Sequence, residues 1–160
     1  MKIKFFSVGG TIDKIYFDAK DTYQVGHAQL KELLDEAHVN FEYEHESILR
    51  KDSLEMNDQD RQLLYDKIVS DTNSYIVITH GTDTMVQSAQ KLLNIPDKTI
   101  VLTGAMSPAR FKFSDAEFNL GLAVAAVQSK PKGVYIAMSG RVFDADKTKK
   151  NISLAMFEDI

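Results

Sequence analysis

Apolar and β-branched residues fall in short, near-continuous runs, separated by stretches where the apolar spacing widens to three and four. Residues 2–8, 75–79, 99–103 and 133–139 are such runs, as expected of strands buried on both faces of a parallel sheet. Between them, Leu30, Leu33, Leu34 and Ala37 share one helical face and predict a helix over about 28–37. Leu64, Ile68 and Val69 predict a second helix, opened by a cap at Asn57 or Asp58. Met85, Val86, Ala89, Leu92 and Leu93 predict a third over 84–93. A stretch rich in small residues (Gly121, Ala123, Ala125, Ala126) predicts a fourth over about 115–129. Residues 40–50 alternate in part and predict a further strand.

Strands and helices therefore alternate about five times, without internal repeat or low-complexity segment. This pattern predicts an α/β fold of flavodoxin- or Rossmann-like layering, a mainly parallel sheet with helices on both faces and right-handed crossovers. No boundary divides residues 1–160, so one domain is expected. Residues 13–25 alternate polar and aromatic (Tyr16, Phe17, Tyr23) around a turn at 18–21, the pattern of a hairpin or lid. The stretch after 139 reads as a polar tail to Asn151, with Met156, Phe157 and Ile160 packing as a final turn or strand.

Composition narrows the chemistry. The 160 residues are 44% hydrophobic and 26% charged, enough for a sizeable core. A net charge of -4 without a long basic run argues against nucleic acid or an anionic membrane as main partner. The absence of cysteine excludes disulfides, thiolate catalysis and zinc–thiolate sites. No apolar run suits a signal peptide or approaches the roughly 18 residues of a membrane span, so a cytoplasmic location is expected. Neither G-x-G-x-x-G nor G-x-x-x-x-G-K-[ST] occurs, and His27, His38, His45 and His80 lack metal-ligand spacing. No metal or organic cofactor is expected.

Two strand ends carry the candidate chemistry. Ile76-Val77-Ile78-Thr79-His80-Gly81-Thr82-Asp83-Thr84 delivers hydroxyls and a carboxylate to the start of a helix, and Phe5-Phe6-Ser7-Val8-Gly9-Gly10-Thr11-Ile12 has the same form. In open α/β sheets, ligands bind beyond the carboxyl ends of strands. A threonine hydroxyl becomes a nucleophile only with a base or a lowered pKa, and Asp83 adjoins Thr82. Thr82, Asp83 and Thr84 are equally the residue types that cap helices, and taken alone the two readings weigh the same.

The combination resembles a known family. Val8-Gly9-Gly10-Thr11-Ile12 and Thr79-His80-Gly81-Thr82-Asp83-Thr84-Met85 are similar to the two signature segments of the bacterial-type L-asparaginase/glutaminase family. Tyr23-Gln24-Val25-Gly26 resembles its lid tyrosine segment, and Asp52-Ser53-Leu54-Glu55-Met56-Asn57-Asp58 its substrate-binding serine loop. Thr103-Gly104-Ala105-Met106-Ser107-Pro108, Ser114-Asp115, Phe118-Asn119 and Thr148-Lys149-Lys150-Asn151 resemble further segments in order. The resemblance implies hydrolysis of L-asparagine to aspartate and ammonia through an acyl-enzyme. It makes Thr11 the nucleophile assisted by Tyr23, and groups Thr82, Asp83 and Lys149 (Lys150 if the register slips by one) as a second catalytic set. It implies substrate-binding positions at Gly10, Ser53, Leu54, Gly81, Thr82, Asp83 and Ala105, and N–H groups of Thr11 and Thr82 as an oxyanion hole. It also implies a homodimer or homotetramer.

The sequence departs from the family at three places. Leu54 stands where a polar residue, often glutamine, is usual, and Ser107 stands for an arginine. Ile160 falls where the family's large N-terminal domain is ending, so its smaller C-terminal domain lies outside this sequence. Two alternatives stay open: a non-catalytic amino-acid-binding or assembly module, and hydrolysis of glutamine or another amide.

Overall fold

Alternation along the strands decides the layering. The computed structural model describes residues Met1–Ile160. The sheet strands are β1 (Lys2–Gly9), β4 (Glu42–Lys51), β5 (Tyr75–Thr79), β6 (Thr99–Thr103), β7 (Gly133–Met138) and β8 (Arg141–Asp144). A hairpin of β2 (Lys14–Phe17) and β3 (Thr22–Val25) follows β1, and a second hairpin of β9 (Thr148–Asn151) and β10 (Met156–Asp159) ends the chain. The helices are α1 (Leu30–Glu36), α2 (Asp58–Ser70), α3 (Met85–Leu92) and α4 (Ala116–Ser129).

The six-stranded sheet has the order β4-β1-β5-β6-β7-β8, parallel throughout except for β8. Phe6, Val8, Ile76, Ile78, Ile100, Leu102 and Ile136 point to one face and pack with Leu64 and Ile68 of α2 and Met85, Ala89 and Leu92 of α3. Ile3, Phe5, Val77, Val101 and Ala137, the residues between them, pack on the other face with Leu30, Leu33 and Leu34 of α1 and Leu120, Ala123 and Val127 of α4. A mainly parallel sheet with helices on both faces is the expected architecture. No helix is long and apolar enough to cross a membrane.

Strand order fixes where a site can lie. The chain leaves β1 for β4 on one side, whereas it leaves the adjacent β5 for β6 on the other. The carboxyl ends of β1 and β5 therefore flank a topological switch point, where α/β sheets open a crevice. Gly9-Gly10-Thr11 follows β1 and His80-Gly81-Thr82 follows β5.

Local signals agree with most of these elements. Asn57 caps α2 in a reciprocal box, its Oδ1 accepting the Asp60 N–H at 3.0 Å while Asp60 Oδ2 accepts the Asn57 N–H at 3.0 Å. The expected hairpin at 13–25 forms as β2 and β3. Three expectations need correction. Val69 is exposed rather than part of the α2 core face, because Leu64 and Ile68 already fill it. The stretch after 139 is not a tail: Ser139 and Gly140, both at positive φ, turn β7 into the antiparallel β8. The expected final strand does form, as β10 paired with β9, but of Met156, Phe157 and Ile160 only Phe157 packs inward, against Phe143.

Candidate active site

Close backbone approach assembles the site. After β1 the chain turns through Gly10 (φ 92), and a Cβ there would lie 2.4 Å from both Cα and N of Gly81. A Cβ on Gly81 would in turn meet the Ser53 side chain, 2.6 Å from Cβ and 2.7 Å from Oγ. Only glycine permits these contacts, so the Thr11, Thr82 and Ser53 segments stack directly on one another. Gly10 N–H donates to Lys51 O at 2.9 Å and Thr84 Oγ1 to Ser53 O at 2.8 Å, tying one loop to the last residue of β4 and the other to the turn that follows it. Ser53 itself is buried, in a short turn held by Asp52, whose Oδ1 accepts the Leu54 N–H at 3.1 Å.

The capping reading of Thr82, Asp83 and Thr84 does not hold. None of their side chains caps α3, whose N-cap residue Thr84 spends its hydroxyl on Ser53. Thr82 Oγ1 instead accepts from Lys150 Nζ at 2.9 Å, and the same ammonium donates to Asp83 Oδ1. The Lys150 side chain is 9% exposed and that of Asp83 44%, so the pair reaches from a largely enclosed ammonium to the solvent edge of the site. Lys149, expected in this place, points outward and pairs with Glu158 at 3.4 Å. The reason is strand pleat: successive residues face opposite sides, so β9 turns Thr148 and Lys150 inward and Lys149 out.

His80 fixes the peptide ahead of Thr82. Its ring is fully buried, and burial pulls its pKa down to about 4, with the Gly81 carbonyl opposing and Arg61 adding to the shift. The ring is therefore neutral. Its Nδ1 lies 2.7 Å from the Gly81 carbonyl oxygen, which can only accept, so Nδ1 carries the proton. Nε2 then accepts from Ser88 Oγ at 2.7 Å. In a trans peptide the N–H points away from the carbonyl. Anchoring Gly81 O on His80 thus turns the Thr82 N–H to the opposite side, where it donates to no protein acceptor.

The loop after β6 forms another wall. Ala105 is buried at its start. Asp115 accepts from the N–H groups of Met106 (2.9 Å) and Ser107 (3.0 Å) and from Asn119 Nδ2 (2.9 Å). Asn119 also donates to Gly104 O at 3.0 Å and accepts from Ser139 N–H at 2.9 Å, so one buried amide joins this loop to the β7–β8 turn. The hairpin forms the remaining side. Tyr23 sits on β3 with its ring edge-on to Tyr16 and Phe111, at 5.4 and 5.5 Å between centroids, and no hydrogen bond joins it to Thr11. Leu54 is 73% exposed beside Ser53.

The hairpin is anchored at its root. Lys14 Nζ lies 3.1 Å from Asp52 Oδ2, and Asp13, two residues after Thr11, accepts the Gln29 N–H on Oδ1 at 2.9 Å. Asp13 is 2% exposed, and burial raises its pKa to about 7, opposed by the Gln29 N–H and by distant Arg50 and reinforced by Glu32. The stacked loops of Gly10, Gly81 and Ser53 therefore bring the segments of Thr11, Thr82 and Asp83 together, and Lys150 joins the last two. Sequence reading did not single out His80, Asp115, Asn119 or Asp13 for these parts. Asp115 and Asn119 lie in segments that match the family's order; nothing local marks Asp13.

A doubly wound α/β domain with two strand-end threonines at its switch point, one bonded to a lysine–carboxylate pair, has the architecture of the asparaginase amidohydrolases. The chain belongs to that family: the model of the asparaginase N-terminal domain matches residues 2–158. It is 34% identical to L-asparaginase 2 of Escherichia coli over 99% of this chain and 49% of that protein. It is 42% identical to the glutaminase-asparaginase of Acinetobacter glutaminasificans over 49% of this chain and 25% of that protein. The thermostable L-asparaginase from Thermococcus kodakarensis superposes with a TM-score of 0.88 at 27% identity, over 100% of this chain and 51% of that one. The chain thus spans about half the length of the L-asparaginases it matches from end to end.

Proposed function

We propose that this chain carries the hydrolytic site of an asparaginase-type amidohydrolase and that L-asparagine is its substrate. The observation that carries the reading is the Thr82–Lys150–Asp83 set, built on a loop in backbone contact with the loop of Thr11. Thr11 Oγ would attack the side-chain amide carbon; its C–N bond breaks, the departing nitrogen takes up the hydroxyl proton, and ammonia leaves an acyl-enzyme ester. A water molecule then attacks that ester, releasing aspartate and restoring the Thr11 hydroxyl. Lys150 Nζ lies within proton-transfer distance of Thr82 Oγ1, as a relay activating a hydroxyl or that water requires. The outward-turned Thr82 N–H supplies a donor for the developing oxyanion, a contact typically worth about 2.7–4 kcal/mol. Ser53 and Asp83 are the groups for the substrate's α-carboxylate and α-amino ends.

Ammonia release from asparagine tests this directly. It should vanish in Thr11→Ala and fall steeply in Thr82→Val; an unchanged rate in either sinks the mechanism. The exposed, apolar Leu54 beside Ser53 favours a second reading of substrate choice, since leucine offers no partner to an α-amino group. Turnover of glutamine or another amide in preference to asparagine supports that reading. Saturable aspartate binding without turnover of any amide supports a non-catalytic binding module. Native mass is measured alongside, because the working unit under this proposal is a homodimer or homotetramer.

A further inference from the structure

Between α2 and α3 lies a cavity of about 440 Å³ lined only by Asp58, Arg61, Gln87 and Lys91, none of which belongs to the threonine site. Arg61 is 9% exposed. Removing a guanidinium from water is costly unless carboxylates and hydrogen bonds replace its hydration. Here the replacement is incomplete. The nearest carboxylate, Asp58, keeps its Oδ1 3.6 Å from Nη1, beyond hydrogen-bond length, on a fully exposed side chain. Nη2 donates to the neutral Gln87 Oε1 at 3.1 Å. Nε has no partner, and it is the only buried side-chain nitrogen or oxygen in the protein left so. Asp60 cannot serve, because Lys51 holds both its oxygens, at 3.0 and 2.9 Å, and Asn57 N–H takes one of them again.

The second cation reinforces the imbalance. Lys91, one helical turn beyond Gln87, lines the same cavity and forms no ion pair; its ammonium rests 5.8 Å over the Tyr65 ring. Two cations thus face one loosely engaged carboxylate. The first turns of α2 and α3 also meet here, through Asp58 and Gln87, and helix starts favour negative charge.

We propose that this cavity is a binding site for a small oxyanion, a phosphate- or carboxylate-type group held between Arg61 and Lys91. Nε is sealed behind the cavity wall, so the paired donors that the planar guanidinium presents to either group are Nη1 and Nη2, beside Asp58 and Gln87. The Gln87 amide, whose Oε1 accepts from Arg61, has an NH₂ group that can donate as well. The volume leaves room for more than an isolated ion.

The test is calorimetric titration of the whole chain with inorganic phosphate and, separately, with citrate, at constant ionic strength so that general screening is held fixed. The expected result is saturable one-site binding of at least one anion; tighter phosphate assigns a phosphoryl source and tighter citrate a carboxylate source. Lys91→Gln, at a surface position, should weaken binding about tenfold or more, the scale of one charged hydrogen bond. Arg61→Met should abolish it, and the Arg61 Nε–H resonance of the native chain should shift along the same saturation curve. Absence of saturable binding of either anion up to ~10 mM, far weaker than a charge-assisted bidentate site, overturns the proposal. Native affinity in Lys91→Gln together with an unmoved Nε–H resonance overturns it as well, and both readouts stand even if Arg61→Met fails to fold.

Discussion

Asp13→Asn should stabilise the protein at alkaline pH and do almost nothing at acid pH. The folded chain holds the Asp13 carboxyl in a dry setting with one backbone donor, raising its pKa from 3.8 to about 7. The folded state therefore binds this proton more tightly than the unfolded chain. Between about pH 4 and 7 the unfolded chain loses the proton while the folded one keeps it, so stability falls as pH rises through that window. Above pH 7 the full penalty applies, a shift of about three units at 1.36 kcal/mol each, or roughly 4 kcal/mol. Asparagine keeps the shape and an acceptor for the Gln29 N–H but carries no charge. The shift already includes the weaker hydrogen bond that a neutral group accepts from Gln29, so the net gain at pH 8 is on the order of 4 kcal/mol. For a chain of this size that is about 8–16 °C in Tm. Urea unfolding of both proteins from pH 4 to pH 9 reads the difference. A stability difference independent of pH would refute the reasoning, because it would mean that the buried carboxyl is not what titrates.

The register of β9 is tested by a pair of substitutions. Lys150→Met should lower ammonia release by about 10²–10⁴, the range for losing a general acid–base group, whereas Lys149→Met, which removes only a partner of Glu158, should stay within about twofold. The reverse ranking would put the wrong lysine at Thr82. Gly121→Ala, on α4 where a Cβ meets nothing within 4 Å, should stabilise by about 0.5–1 kcal/mol in the same urea assay. A loss there would show that something covers this face of α4 in solution.

The two strand-end threonines gain their setting from topology. Each follows an ordinary buried strand, and neither strand is unusual in composition. β1 and β5 lie side by side although some 70 residues separate them, and their chains depart to opposite sides, leaving the crevice open. Two glycines then let the loops touch, which gives Gly10 and Gly81 a steric role beside any contact with substrate.

How much was legible beforehand follows the range of each interaction. The buried strands, the helices and a cap at Asn57 or Asp58 are written in neighbours two to four residues apart, and the sequence by itself determined them; the fold chose Asn57 for the cap. The same holds for the parallel layering and for Thr11 and Thr82 as the residues at strand ends. Tertiary structure decided the rest. The four-residue segments 141–144 and 148–151 are too short for a periodic pattern to announce strands, and form them by pairing with β7 and β10. Which lysine meets Thr82 depends on that pairing, because a one-residue shift turns every side chain to the other face. Tyr23 packs on Phe111 rather than bonding Thr11, a choice set by how the hairpin lies on the body. The neutral His80 and the protonatable Asp13 depend on burial, which is a property of the folded whole and has no period along the chain.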